Sequence, residues 1–147
     1  MYKRILIATD GSEISKRAVA QGIALAEALQ APVTAVFVID TRALPGAHPV
    51  VPESIATYYQ SILSEMRKMG ESVVGEVVAA GAVAGIPVDP KVLCGSPAGT
   101  ILDTATEVGA DLLVMGTHGR TAIASVFLGS TAQTVCHHCR VPLLLVR

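Results

Sequence analysis

The chain has 147 residues, a length that suits one domain with a hydrophobic core of its own. Eleven Lys and Arg residues against twelve Asp and Glu residues give a net charge of −1, which favours neither general nucleic-acid binding nor attraction to a membrane surface. Hydrophobic residues make up 51% of the sequence and charged residues only 16%, so we expect a partner to cover some apolar surface.

No segment has the pattern of a membrane span or of a secretory signal. The longest uncharged apolar run, residues 77–88, contains Pro87 and is shorter than the about 20 residues that a spanning helix needs. Residues 1–4 lead directly into a strand pattern without a cleavage site. We therefore expect a cytoplasmic protein whose three cysteines remain thiols.

The first half of the chain predicts two strand–helix units. The apolar run 5–8 is typical of a strand buried on both faces, and Ser12 after it is a candidate helix N-cap. Helical spacing continues until Pro32, and residues 33–39 form a second buried strand. Residues 40–52 contain three prolines and no periodicity, which predicts a long surface loop of the kind that is often functional.

The second half repeats the alternation and ends on a strand. A helical pattern covers residues 53–84, where Gly75 and Gly81 are suited to close packing against a sheet. Ser96-Pro97 is a strong helix start. The remaining strands are predicted at residues 88–93, 112–115 and 141–146.

The order βαβαβαβαβ predicts an α/β fold: a single domain over residues 1–147, with an open, five-stranded, Rossmann-like parallel sheet and helices on both faces. If the strand order reverses between the first and fourth strands, their carboxyl ends open one crevice. Asp10 and Gly116 would then line it, although they are far apart in sequence.

A glycine-rich segment follows the fourth strand. Gly116 and Gly119 are separated by two residues, and Gly119 and Gly129 by nine, with Ser130 next. Such a turn lets main-chain N–H groups approach an anion, and the next helix N-terminus adds donors and a favourable dipole. The pattern predicts a site for the phosphates of a nucleotide. The alternative is a set of ordinary turn glycines. Ser130 and Gln133 also fit a capping box, which is compatible with phosphate binding.

Two well-known nucleotide motifs are absent. No G-x-x-x-x-G-K-[ST] element is present, which excludes a P-loop NTPase, and no G-x-G-x-x-G opens the first helix, which disfavours a dinucleotide oxidoreductase. Asp10 suits ribose hydroxyls or a metal, with a role in capping the first helix as the alternative. Arg120 suits phosphate oxygens, and the role of His118 stays open. No catalytic grouping is evident from residue spacing.

The tetrad Cys136-His137-His138-Cys139 suggests a metal or redox site at first sight. It lies at the end of the last helix, however, where the dipole disfavours thiolates, and neighbouring positions point to different faces. We therefore expect two buried thiols and two surface imidazoles rather than a metal site.

Taken together, these segments resemble the universal stress protein family over essentially the whole chain. The glycine segment matches that family's G-x2-G-x9-G-[S/T] nucleotide signature, and residues 2–12, 95–97, 109–111 and 141–147 are similar as well. The resemblance implies the strand order 3-2-1-4-5 and ATP binding, with Mg²⁺ bound alongside the nucleotide. It implies a homodimer through the last strand, whose apolar residues are Val141, Leu143 and Leu145.

The resemblance also implies a role for each site residue. Asp10 takes the ribose, and Ala8, Thr9 and Val38 frame the adenine. Met115 and Gly116 flank the base and the ribose. The phosphates are held by Gly119, Gly129, Ser130 and Thr131. Ala122 and Ser125 depart from the family's usual glycine and basic residue, and the loss of the basic residue at position 125 would weaken phosphate binding.

Three functions are compatible with these features. The first is an ATP-binding regulator of the stress response with at most slow hydrolysis. The second is a nucleotide-independent dimeric adaptor in which the glycine segment is structural. The third is an adenylate-forming enzyme, for which the 40–52 loop is the only visible substrate site.

Overall fold

The computed structural model describes residues 1–42, 44, 52–120 and 128–147. In chain order its elements are β1 (Ile5–Ala8), α1 (Glu13–Leu29), β2 (Val33–Asp40), α2 (Glu53–Val83), β3 (Val88–Gly95), α3 (Pro97–Glu107), β4 (Leu112–Gly116), α4 (Ser130–His138) and β5 (Leu143–Val146). All four strand pairs are parallel, and the sheet order is β3-β2-β1-β4-β5. The predicted α/β fold and strand order are confirmed.

The helices cover both faces of the sheet, which buries the central strands completely. On one face, β1, β2 and β4 pack against α1 and α2, and Ile7 and Val114 are among the side chains with no exposed surface. On the other face, the alternate residues of the same strands, such as Leu6 and Leu113, pack against α3 and α4. Continuous apolar runs are therefore required in β1 and β4, as the sequence predicts.

The boundaries of both edge strands, β3 and β5, differ from the sequence prediction. β3 continues through Gly95 and includes Pro90, which the edge position tolerates because the outward side of an edge strand has no partner for an N–H group. β5 begins at Leu143 rather than at residue 141, since Pro142 contributes its carbonyl to Leu113 N–H but has no N–H of its own.

The predicted capping box at the start of α4 is wrong. Gly129 is the N-cap, Ser130 is the first helical residue, and no side chain caps this helix. The main-chain N–H of Gln133 donates to the carbonyl oxygen of Gly129 at 2.8 Å. By contrast, the predicted N-caps Ser12 and Ser96 are confirmed, each accepting a hydrogen bond from the third residue after it.

The prediction that two glycines of α2 allow close packing against the sheet is correct for one of them and wrong for the other. A Cβ atom on Gly81 would collide with Val88, so this glycine allows α2 to approach β3 closely. A Cβ atom on Gly75 would meet nothing within 4 Å, so close packing does not explain that glycine.

Among the described residues, no helix is long and apolar enough to cross a membrane.

Candidate functional site

A cavity of about 530 Å³ opens at the carboxyl edge of the sheet, where the strand order reverses between β1 and its neighbours. This size lies within the range of about 300–1,000 Å³ that is typical of small-molecule sites. All eleven residues that the sequence predicted for the site line it: Ala8, Thr9, Asp10, Val38, Met115, Gly116, Gly119, Arg120, Gly129, Ser130 and Thr131. Their roles in binding stay predictions.

The floor of the cavity is apolar. Ala8 and Met115 are each 6% exposed and are paired in register across β1 and β4. Val36 and Val38 extend this floor along β2, and Ile101 of α3 covers it from one face. A flat apolar ring is the kind of group that such a floor accommodates.

Asp10 links the carboxyl end of β1 to the turn after β4, and the sequence predicted that these two strand ends lie close together. Its Oδ1 accepts a hydrogen bond from Ser12 N–H at 3.0 Å, and its Oδ2 accepts one from Arg120 N–H at 2.8 Å. Ser12 rather than Asp10 caps α1, so the helix-capping alternative for Asp10 is wrong. Because a carboxylate has about four acceptor sites, both oxygens retain capacity for a ligand hydroxyl.

The glycines of the motif allow the chain to fold closely upon itself. A Cβ atom on Gly119 would lie 2.8 Å from Asp10 Oδ2, and one on Gly116 would lie 2.9 Å from Ile14 Cγ2. A Cβ atom on Gly129 would lie 3.3 Å from Thr117 O, which accepts the N–H of Gly129 at 2.8 Å. The glycine segment is therefore packed against α1 and against itself.

The N-terminus of α4 lies at the same cavity. Ser130 and Thr131, its first two residues, line the cavity, and no side chain caps the helix. The first N–H groups of a helix have no intrahelical acceptor and lie at the positive end of its dipole. This end of the cavity is therefore suited to an anion.

Arg120 and His118 both make contacts within the protein. The main-chain N–H of Arg120 is bound by Asp10, and its guanidinium Nη1 contacts the sulfur of Met69 on α2. His118 Nδ1 lies 3.0 Å from the Thr117 hydroxyl, and both residues line the cavity.

The sequence reasoning missed several cavity residues. Ser15 lines the cavity, is 3% exposed, and has its hydroxyl 3.1 Å from that of Thr9. Of the two neighbouring serines, only Ser12 was given a role from the sequence. Asp40 and Arg42 line the opposite side from α4. Asp40 had a usable signal, because it follows an apolar parallel strand much as Asp10 does.

Asp40 and Arg42 form a two-point ion pair. Arg42 Nε lies 2.9 Å from Asp40 Oδ1, and Nη2 lies 2.7 Å from Oδ2. The side-chain hydrogen bond from Arg42 holds the pKa of the Asp40 carboxyl below its usual value, and the same bond raises the pKa of Arg42. The pair therefore stays ionised throughout the neutral range.

The Cys-His-His-Cys tetrad is only partly as predicted. His137 and His138 are exposed, as expected, but Cys136 is exposed as well, so the prediction of two buried thiols is wrong. Val135 faces the core and is fully buried, which turns its neighbour Cys136 to solvent. Cys139 is half-buried, and its thiol donates to Val141 O at 3.2 Å.

Two further sequence predictions lie outside the described residues. Ala122 and Ser125, the two departures from the family's usual residues, are not among them. The same holds for residues 43 and 45–51 of the loop that was considered as a substrate site.

Comparisons with known proteins agree on one family. A sequence model described as the universal stress protein family matches residues 1–147. A universal stress protein from Thermus aquaticus, named for its place in the QAH/OAS sulfhydrylase 3′ region, is 39% identical over 149 residues, with 100% of both chains covered. Universal stress protein UspA from Lactobacillus plantarum superposes with a TM-score of 0.87 at 23% identity, covering 99% of this chain and 98% of that one. A universal stress protein solved in complex with cAMP has a TM-score of 0.72 at 25% identity, covering 99% and 97%.

Proposed function

The chain belongs to the universal stress protein family, and from that premise we propose that it binds ATP and acts as a nucleotide-dependent regulator of the stress response, with at most slow hydrolysis. The observation that carries this proposal is the division of one cavity into an apolar end and an anion-binding end. A similar solved protein of the family holds cAMP, which supports an adenine nucleotide as the ligand class.

The apolar end suits the base. Ala8, Val38 and Met115 frame the adenine, with Thr9 beside them. Burial of such a ring against these side chains contributes roughly 25 cal/mol for each Å² removed from water. Asp10 accepts hydrogen bonds from the ribose hydroxyls, using the acceptor sites that Ser12 and Arg120 leave open.

The other end suits the triphosphate. Ser130 and Thr131 begin α4, whose N-cap Gly129 has no capping side chain, and Gly119 and Gly129 line the cavity beside this helix N-terminus. Within the part of the chain that the structure describes, no group of three or more His, Cys, Asp or Glu side chains is placed to hold a metal ion. Mg²⁺ would therefore be held chiefly by the phosphates, as it commonly is.

Thermal unfolding of nucleotide-stripped protein tests this proposal. Because ligand binding to the folded state alone stabilises it by about RT ln(1 + [L]/Kd), we expect Tm to rise with ATP concentration in Mg²⁺. Mass spectrometry of nucleotide that copurifies with the protein gives an independent readout. The absence of both effects would contradict the proposal.

Gly119→Ala separates a binding role of the glycine segment from a structural one. The new Cβ displaces the Asp10 carboxylate, so we expect ATP affinity to fall about tenfold or more while the fold persists. Gly75→Ala is the matched control, since its Cβ meets nothing and the change stabilises a helix by about 0.5–1 kcal/mol. Equal ATP affinity in the two variants would instead indicate a purely structural role for Gly119.

We also place the homodimer contact of this regulator at the edge strand β5. Leu144 is 36% exposed there, and Val141, Leu143 and Leu145 are only partly buried. An exposed apolar edge strand is suited to pairing with a second copy. Leu144→Lys should therefore shift the mass in analytical ultracentrifugation towards the monomer, whereas Val83→Lys, at the 92% exposed end of α2, should not.

A further inference from the structure

The ion pair of Asp40 and Arg42 stands at the base end of the cavity and is not explained by phosphate binding. β2 lies on the side of β1 away from β4, so its exit is separated from the glycine segment by the full width of β1. Both residues nevertheless line the same cavity as Val38 and Pro97. A positive charge at this place would meet the base rather than the triphosphate.

The geometry of the pair fixes the plane of the guanidinium group. Arg42 uses Nε and Nη2 for the two oxygens of Asp40, and its main-chain N–H adds a third bond to Oδ1 at 3.1 Å. The two side-chain bonds hold the guanidinium group against the carboxylate and leave the arginine side chain little rotational freedom. What remains for a ligand is Nη1 and the flat face of the group, and the side chain is still 64% exposed.

A fixed, exposed guanidinium plane is a stacking surface. Arginine stacks on aromatic rings through dispersion and cation–π attraction, and it binds them without selecting particular hydrogen-bonding edges. A lysine at the same place would supply a charge but no plane. The larger ring system of a purine offers more area to such a surface than that of a pyrimidine.

We propose that Arg42, held in place by Asp40, stacks on the base of the bound nucleotide and gives the site its preference for purines. This inference rests on the proposed function, since it assumes that the cavity holds a nucleotide with its base near β2. It makes Arg42 a specificity-determining residue and Asp40 the positioning residue that fixes the orientation of the guanidinium plane.

Titration calorimetry with ATP, CTP and adenosine tests the inference on the wild type, Arg42→Ala, Arg42→Lys and Arg17→Ala. Arg17 is an exposed arginine on α1 that does not line the cavity, so it serves as the matched control for charge. We expect Arg42→Ala to weaken ATP and adenosine by the same factor, about five- to thirtyfold, and to reduce the ratio of ATP to CTP affinity. Arg42→Lys should behave like Arg42→Ala, and Arg17→Ala like the wild type.

Three results would overturn the inference while leaving ATP binding intact. These are full affinity in Arg42→Ala, recovery of affinity in Arg42→Lys, or a loss seen with ATP but not with adenosine, which would place Arg42 at the phosphates. Failure of the wild type to bind any of the three ligands would instead contradict the proposed function itself, and the inference with it. Asp40→Asn should reproduce part of the Arg42→Ala loss without changing Tm of the free protein.

Discussion

Two carboxylates tie β1 to the β4 region, one at each end of the strand. At the amino edge of the sheet, Asp111 before β4 accepts the N–H groups of Lys3 and Arg4 before β1. At the carboxyl edge, Asp10 after β1 accepts the N–H of Arg120 after β4, together with that of Ser12. Both residues are half-buried, and both bind main-chain donors over a long sequence separation.

The two ends differ in what lies beside the carboxylate. Asp10 lines the cavity of about 530 Å³, whereas Asp111 does not. The hydrogen-bond patterns differ as well. Asp10 uses a different oxygen for each donor, while Asp111 Oδ1 alone reaches both of its donors, each at 3.0 Å. The same kind of main-chain bond therefore lies beside a cavity at one edge and aligns the strands at the other.

The largest expected effect is on ligand affinity, and it should be seen at the carboxyl edge of the sheet but not at the amino edge. An asparagine at position 10 offers one acceptor oxygen, so its amide NH₂ must face one of the two main-chain donors. We expect Asp10→Asn to weaken ATP binding about ten- to a hundredfold, close to the effect of Asp10→Ala, because hydrogen bonds to a charged group contribute about 1.5–3 kcal/mol. Isothermal titration measures this. Unchanged affinity in Asp10→Asn would remove the distinction between the edges.

The next effect concerns stability alone. We expect Asp111→Ala to lower the free energy of unfolding by about 1–2 kcal/mol, because two main-chain N–H groups lose their acceptor. Asp111→Asn should recover part of that loss, since one amide oxygen at the Oδ1 position still accepts both N–H groups, although the amide NH₂ replaces the Oδ2 atom that accepts from Lys3 N–H at 2.8 Å. Urea unfolding measures both changes, and ATP affinity should stay at the wild-type value. An Asn variant as unstable as the Ala variant would contradict this account.

The smallest effect is the acid dependence of stability. Desolvation raises the pKa of Asp111, but the N–H bonds from Arg4 and Lys3 outweigh it, so the pKa is lowered overall. A lowered folded pKa contributes stability above the unfolded value of about 3.9, and this contribution is lost as the pH falls through the folded pKa. Unfolding free energies between about pH 6 and pH 2 should therefore fall less steeply in Asp111→Asn than in the wild type. The same slope in both proteins would contradict this.

Local sequence patterns predicted some features well because those features depend on near neighbours. The serine caps Ser12 and Ser96 are examples, as is the burial of Ile5–Ala8. The start of α4 was misjudged because Gly129 and Ser130 are both acceptable N-caps, and contacts with Thr117 and His118 decide between them. Cys136 was misjudged because the orientation of α4 depends on the sheet against which it packs.

The sequence by itself determined the alternation of strands and helices, the family, and eleven of the residues that line the cavity. Apolar runs, helix starts and a glycine motif are local properties, and the exits of parallel strands meet by topology alone. Only the tertiary structure revealed that Asp10 holds the 119–120 turn, that the Arg120 guanidinium reaches α2, and that Arg42, paired with Asp40, lines the cavity. The two contacts of Asp10 and Arg120 join residues that are far apart in sequence. The place of Arg42 depends on the cavity, which residues from several elements form together. Neither kind of information is contained in a local sequence pattern.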